Sequence, residues 1–257
     1  RGHGPLPQGG IAGMARSHRE GVARMARSYG GSCTMGLRRD QREAPSMSPT
    51  PAILQSARIL VISDFNCPYC FTLNDWLREL GVDHHHQVRW VGVEHKPLLP
   101  TDPAGDNTAA DIEILGRETT DVIARAPEVR LHRPPTWLNS RRALLVQAAI
   151  EDDFPEKASA LRTAIFRSFW HKGRNFAAED TLDALLGEQG LAPASGQFLD
   201  EPLLDEITTW WRQELDRIPC MLAPTGARHL GLQTREQVRA FVMGALHEPP
   251  PTGAFCR

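Results

Sequence analysis

Between residues 59 and 93 the chain spells a strand, a Cys-x-x-Cys turn, a helix and a second strand, and this order constrains the fold more than anything else in the sequence. Ile59-Leu60-Val61-Ile62 is a short apolar run rich in β-branched residues, as expected of a strand buried on both faces. It runs through Ser63-Asp64-Phe65-Asn66 into Cys67-Pro68-Tyr69-Cys70. Phe71, Leu73, Trp76, Leu77 and Leu80 follow at helical spacing, and Gly81 stops the helix. After His84-His85-His86, the segment Val88-Arg89-Trp90-Val91-Gly92-Val93 predicts the second strand. Two strands joined through a helix form a crossover, so the unit predicts a parallel pair in an α/β sheet.

Cysteines three apart at a helix start can close a disulfide. They also sit where unpaired amide N–H groups and the helix dipole favour an anion, and the thiolate is the attacking species in disulfide exchange. Cys67 lies nearer the helix terminus and is read as the nucleophile, with Cys70, one turn in, as the resolving thiol. Pro68 suits a first helical position, because the N–H it lacks would have no partner there. Half of a zinc site has the same spacing, and the His triplet could supply the missing ligands. The strand before the motif and the helix after it favour redox chemistry, and adjacent histidines in a polar loop read as solvated surface, so no metal is assigned.

The remainder divides by composition. Residues 1–46 hold eight Arg, no Lys and three acids, a net of +5, while the remaining 21 bases and 28 acids leave a net of −7. Residues 1–50 are expected to form a disordered basic arm, with an organelle transit segment or upstream sequence translated ahead of Met47 as alternatives. No apolar run reaches the roughly 18 residues that span a bilayer, and a net charge of −2 gives no footprint for nucleic acid. Five cysteines in a chain long enough to bury a core do not describe a secreted disulfide scaffold. With no secretory signal visible, the cytoplasm is the expected location, organelle targeting being the alternative.

From about residue 107 to 216 the pattern is helical. Ala158, Leu161, Ile165 and Phe169 form one stripe, entered through Asp153 and Pro155, and Leu203, Ile207, Trp211 and Leu215 form another. Asn139 is a candidate cap for the helix beginning near Arg141. Strand character returns over residues 218–223, a turn follows at Pro224-Thr225-Gly226, and residues 228–231 predict its hairpin partner. A last helix spans residues 234–246, with Thr234 and Gln237 as a capping box. The organisation expected is thus a sheet core in two parts, 57–98 and 205–247, around a helical insertion at 99–204, with a Pro-rich tail at 248–257.

Asp64-Phe65-Asn66-Cys67-Pro68-Tyr69-Cys70 resembles the active-site segment of the DsbA-like thioredoxin superfamily. The branch it is most similar to contains FrnE-like proteins, 2-hydroxychromene-2-carboxylate isomerases and kappa-class glutathione transferases. Residues 166–176, followed by Asp180-Thr181-Leu182, resemble the helical insertion motif of that branch, and Ile218-Pro219 resembles its cis-proline loop. The resemblance covers residues 57–247. It implies a thioredoxin-like α/β fold, a mixed sheet flanked by helices, interrupted by a large all-α domain. It also implies a cis Pro219 beside the dithiol, with Pro68, Tyr69, Ile218 and Pro219 against the substrate. In the family this loop pairs with substrate backbone and keeps metals off the thiols.

Two positions depart from the pattern. Isomerases and kappa-class transferases of the branch generally carry Ser at the first active-site position, where this chain has Cys67. That favours dithiol chemistry. Cys220 follows the proline where Thr is common. The bland reading is a small buried substitute; the sharper one places Cys220 close enough to Cys67 for an alternative disulfide or a third metal ligand. Cys33 and Cys256 fall in the terminal segments and are read as incidental. Phe65, Trp90, Trp210 and Trp211 read as core rather than a substrate wall, and Arg141-Arg142 as a solvated helix start rather than an anion site.

The leading expectation is a thiol–disulfide oxidoreductase that cycles Cys67 and Cys70 through a mixed disulfide. Its partners are disulfide- or dithiol-containing proteins or glutathione. No cofactor is tightly bound, glutathione serves as a co-substrate, and a homodimer is admitted. The alternatives are a glutathione-dependent isomerase or transferase, and a non-catalytic chaperone-like binding module.

Overall fold

A computed structural model describes residues 50–56, 58–97, 99, 107–193 and 200–247. Nearly all of the expected basic arm, the Pro-rich tail, Cys33 and Cys256 lie outside the described residues. A short 3-10 turn, Ala52–Leu54, leads into β1 (Ile59–Ser63), α1 (Pro68–Glu79) and β2 (Val88–Gly92). Among the described residues five helices follow: α2 (Ala109–Arg125), α3 (Arg141–Asp153), α4 (Pro155–Trp170), α5 (Glu179–Glu188) and α6 (Glu201–Glu214). The hairpin strands β3 (Cys220–Leu222) and β4 (Arg228–Leu230) precede α7 (Arg235–His247). Among the described residues no helix is long and apolar enough to cross a membrane.

The four strands form one mixed sheet in the order β2-β1-β3-β4. β1 runs parallel to β2, with Val61 opposite Trp90, and antiparallel to β3, with Ile62 opposite Cys220. All five residues of β1 are buried, because helices cover both faces of this central strand. Strand alternation then sorts the side chains. Ile59, Val61, Val88, Trp90 and Met221 enter one cluster, together with Phe71, Leu77, Val238 and the cores of α3, α4 and α5. Leu60, Ile62, Val91, Val93 and Cys220 enter the other, under Ile207, Trp210 and Trp211 of α6. Phe65, Trp90 and Trp210 are therefore core, whereas Trp211, buried as well, also lines the large cleft that Cys67 reaches. The insertion shares one apolar core with α1 and α7.

Local chemistry accounts for the element ends. Gly81 stops α1 with φ +68°, a conformation that side-chain-bearing residues rarely adopt. Thr108 and Asp111 form a capping box on α2, and the Thr234–Gln237 box is present on α7 in both arms. The break between α3 and α4 falls at Phe154 rather than Asp153. Phe154 precedes Pro155, whose ring excludes its neighbour from helical geometry. Ser140 is the cap position of α3 but makes no side-chain bond there; Asn139 Oδ1 accepts the Arg141 N–H instead, at 3.0 Å. A Cβ placed on Gly92 would lie 2.8 Å from Leu144 Cδ2, so this glycine lets α3 close on the edge strand β2.

A buried polar cluster ties the insertion to the sheet core. Arg162 of α4 gives both Asp83 oxygens hydrogen bonds at 2.6 Å, reaches Glu151 Oε1 at 2.9 Å and Asn74 Oδ1 at 3.1 Å, and lies 4.3 Å from the Trp90 ring centre. Burial pushes the Glu151 carboxyl up from the usual range, and the Arg162 charge opposes that shift.

Candidate active site

The turn between β1 and α1 is held on every side. Asp64, fully buried, accepts the Asn66 N–H at Oδ1 (3.1 Å), and its carbonyl accepts the Cys67 N–H at 3.1 Å. Asp64 Oδ2 takes two bonds from His95 just beyond β2, from the backbone N–H at 3.0 Å and from ring Nδ1 at 2.8 Å. The Asn66 side chain pairs both ways with the backbone of Leu138, donating to its carbonyl (2.5 Å) and accepting its N–H (3.0 Å). Trp170 of α4 donates its indole N–H to the Phe65 carbonyl at 2.9 Å. The insertion thus grips the reactive turn at two successive residues.

Cys67 is the N-cap of α1, extended at φ −90° and ψ 116°, and Pro68 takes the first helical position. The Cys67 Sγ accepts the Cys70 N–H at 3.3 Å, so a sulfur stands where a capping oxygen usually would. Both thiols are free; Cys67 is 3% exposed and Cys70 is closed off entirely. Burial pushes the Cys70 thiol well up, and the hydrogen bond and charge of Cys67 push it further, against a backbone hydrogen bond from Asp64. Cys70 is thereby held as a protonated thiol behind Cys67.

Cys67 opens onto a cleft of about 1200 Å³. Tyr69, His95, Glu118 of α2, Arg217 and Ile218 line it as well. Tyr69 donates its hydroxyl to Asp121 of α2 at 2.9 Å, and Asp121 pairs with Arg125 at 2.8 Å. Burial first, then the Asp121 hydrogen bond, push the phenol up, so Tyr69 stays a neutral donor. The Ile218–Pro219 peptide is cis, and the Pro219 carbonyl accepts the Gly231 N–H at 2.8 Å. Cys67, Tyr69 and Ile218 meet at the cleft, while Pro68 and Pro219 are buried beside it.

Cys220 stands elsewhere. It faces the α6 side of the sheet among Leu60, Ile62 and Trp210, opposite the cluster that contains Cys67 and Cys70. Its partner in the ladder is Ile62, whose side chain points to that same far face. Burial pushes its thiol up to about 12. The sharper reading of Cys220 as an auxiliary thiol is corrected on this geometry: it is a small core residue. Arg141 is taken up by Glu94 (2.6 Å), Asp205 (2.8 Å) and Glu201 (3.1 Å), and Arg142 by Glu179 (2.7 Å), which leaves that helix start no role as an anion site. His84, His85 and His86 are exposed, and among the described residues no group of three or more His, Cys, Asp or Glu is disposed to hold a metal. Asp64 and Asn66 entered the sequence reading only as members of the segment 64–70, with no role given to either, and His95 and Glu118 did not enter it. Asp64 and Asn66 adjoin the cysteine motif and could have been suspected, whereas His95 and Glu118 carry no local signal.

A four-stranded mixed sheet with a Cys-Pro-Tyr-Cys turn at the start of its first long helix, and helices inserted between β2 and β3, defines a thioredoxin-like protein of the DsbA type. The profile of the DSBA-like thioredoxin domain matches residues 58–214, and the chain belongs to that family. No curated protein matches the sequence. Solved structures agree on the fold. A probable DsbA oxidoreductase from Streptomyces coelicolor superposes with a TM-score of 0.55 at 15% identity, covering 76% of this chain and 92% of that one. A 2-hydroxychromene-2-carboxylate isomerase gives 0.54 at 19% identity over 73% and 95% of the two chains. The cytosolic disulfide reductase DsbM from Pseudomonas aeruginosa gives 0.51 at 17% identity over 74% and 98%.

Proposed function

We propose that this protein is a thiol–disulfide oxidoreductase acting on disulfides or dithiols of proteins or of small thiols such as glutathione. The observation that carries the reading is the arrangement of the two sulfurs: Cys67 Sγ caps α1 and lines the cleft, and the buried Cys70 gives it an N–H at 3.3 Å from behind. In the reducing direction the Cys67 thiolate bonds to one substrate sulfur and the other leaves with the electron pair of the broken S–S bond. Cys70 then loses its proton and attacks Cys67 Sγ, releasing the second substrate sulfur and leaving a Cys67–Cys70 disulfide. Two electrons pass to the substrate, and every step reverses when a dithiol is oxidised. Ile218 lines the same cleft as Cys67, which supports a part for it in meeting the substrate backbone, and the Pro219 carbonyl ties its loop to Gly231 just after β4. The second thiol separates this reading from a glutathione-dependent isomerase, which has no use for a resolving cysteine.

Replacing Cys70 by Ser should trap mixed disulfides visible by intact mass, and Cys67→Ser should reduce insulin no faster than buffer. Turnover of insulin or glutathione disulfide by the Cys67→Ser protein would overturn the proposal.

A further inference from the structure

The exchange reaction leaves a proton unaccounted for. An alkyl thiolate expelled from a substrate disulfide must be protonated, and an incoming thiol must lose its proton before it attacks. Glu118, at mid-length on α2, is half-buried and lines the same cleft as Cys67 and Tyr69. Its charge and that of Cys67 both act on the Tyr69 hydroxyl, so the three groups share one neighbourhood. Two other carboxylates of this cleft have structural partners: Asp121 holds Tyr69 and Arg125, and Glu128 holds the Trp76 indole and Arg235. Glu118 accepts no hydrogen bond and forms no ion pair among the described residues; its neighbours act on it through charge alone. Such a carboxyl, lining the same cleft as the nucleophile and without a structural partner among the described residues, is suited to proton transfer.

We propose that Glu118 is the group that gives and takes the proton of the substrate sulfur, with His95, held by Asp64 on the wall of the same cleft, as the positioning residue. The proposal rests on Cys67 being the attacking sulfur. In the reducing direction Cys67 Sγ forms the new S–S bond, the old one breaks, its electron pair leaves on the departing sulfur, and the Glu118 carboxyl protonates that sulfur. Water in the open cleft restores the carboxyl. In reverse, the carboxylate takes the proton of an incoming thiol, whose thiolate attacks the mixed disulfide and expels the Cys67 thiolate. Burial pushes the Glu118 carboxyl up from the ordinary carboxylate range. The charges of His95 and Lys96 at the end of β2, and of Arg117 on α2, work against that. Other titratable and charged groups of this cleft and its floor include Tyr69 and Cys67 from the start of α1, Asp64 from the turn before it, Asp121, Arg125 and Glu128 on and after α2, Asp216 and Arg217 after α6, and Arg235 and Glu236 on α7. His95 is oriented by its two bonds to Asp64 and by an edge contact with Trp137 at 5.3 Å.

The test uses two disulfides that differ in how much their leaving group needs a proton. Glutathione disulfide expels an alkyl thiolate; 5,5′-dithiobis(2-nitrobenzoate) expels an aromatic thiolate that is stable without one. Single-turnover rates of the reduced full chain with each should show that Glu118→Gln lowers the glutathione-to-aromatic rate ratio by about 100-fold, the lower end of general-acid effects. The wild-type rate on glutathione disulfide should fall as pH rises through the Glu118 titration. That limb should vanish in Glu118→Gln and move to higher pH in His95→Asn, which removes a charge favouring the carboxylate. Equal loss on both disulfides, loss on neither, or a limb that persists in Glu118→Gln overturns the proposal. If Glu118→Gln does not fold by circular dichroism, Glu118→Asp must lower the same ratio to a smaller extent, and an unaltered ratio overturns it equally. Failure of the underlying reading looks different, since Cys67→Ser would then still reduce both disulfides.

Discussion

The two faces of the sheet each bury a free cysteine, and only one of these has the surroundings of a working thiol. Cys70 and Cys220 are both fully enclosed, and burial pushes both thiols up. On the α1 face, Cys70 sits one helical turn behind Cys67, gives it an N–H, and is packed under a turn held by Asp64, Asn66 and Trp170. On the α6 face, Cys220 lies among Leu60, Ile62, Val91 and Trp210, and its weak sulfur contact is to the Met221 carbonyl at 3.9 Å. Burial alone therefore gives an inert thiol. In the proposed reaction, what sets Cys70 apart from Cys220 is a second sulfur at a helix N-terminus that lines a cleft.

The contrast can be broken most severely at Arg162, which belongs to the α1 side. Arg162→Ala strands Asp83 and Glu151 in the interior, and urea denaturation should show a loss of about 3–5 kcal/mol, the usual cost of breaking a buried ion pair. Asn66→Ala removes the pairing with Leu138 and leaves two backbone groups bare; a loss of about 1–3 kcal/mol is expected by the same assay, with slower exchange at Cys67. The far face should answer more quietly. Cys220→Ala opens a small void costing about 1 kcal/mol, and insulin reduction should continue at close to the wild-type rate.

Asp75, on α1, should give the smallest effect, and in the opposite direction. Burial raises its carboxyl above the ordinary value of 3.8, although Arg167 (3.7 Å) and Arg78 (3.9 Å) oppose the shift. The folded protein then holds a proton that the unfolded chain has released, so stability declines as pH climbs from the unfolded value through the folded one. Asp75→Asn should raise stability at pH 7 by less than about 1 kcal/mol and leave it nearly the same at pH 3, where both states are protonated. Parallel unfolding curves at the two pH values would check the sign.

Much of this architecture is legible in the chain because its signals are local. The apolar run at Ile59, the cap and proline at Cys67 and Pro68, the glycine stop at Gly81 and the Thr234–Gln237 box each act within a few residues, and each element formed where its signal lies. The face on which Cys220 would fall was not readable, because it depends on the register of β3 against β1 across more than a hundred intervening residues. His95 and Glu118 reach the cleft for the same kind of reason. One follows β2 and the other lies midway along α2, and the cleft takes shape only when both elements pack around α1. Asn66 looked like a turn residue, and its partner Leu138 stands 72 positions away.

That pairing makes the reactive turn a borrowed part rather than a portable one. An amide side chain that exchanges hydrogen bonds with a distant peptide imitates a short extra rung of sheet, and the rung is supplied by the insertion. Grafting residues 64–70 onto a bare scaffold would carry the two sulfurs across without the brace that aligns them. Trimming the helices to miniaturise the protein would remove the same brace from the other end. In this chain the motif and its helical domain brace each other through those bonds, and an engineer who wants one has to take both.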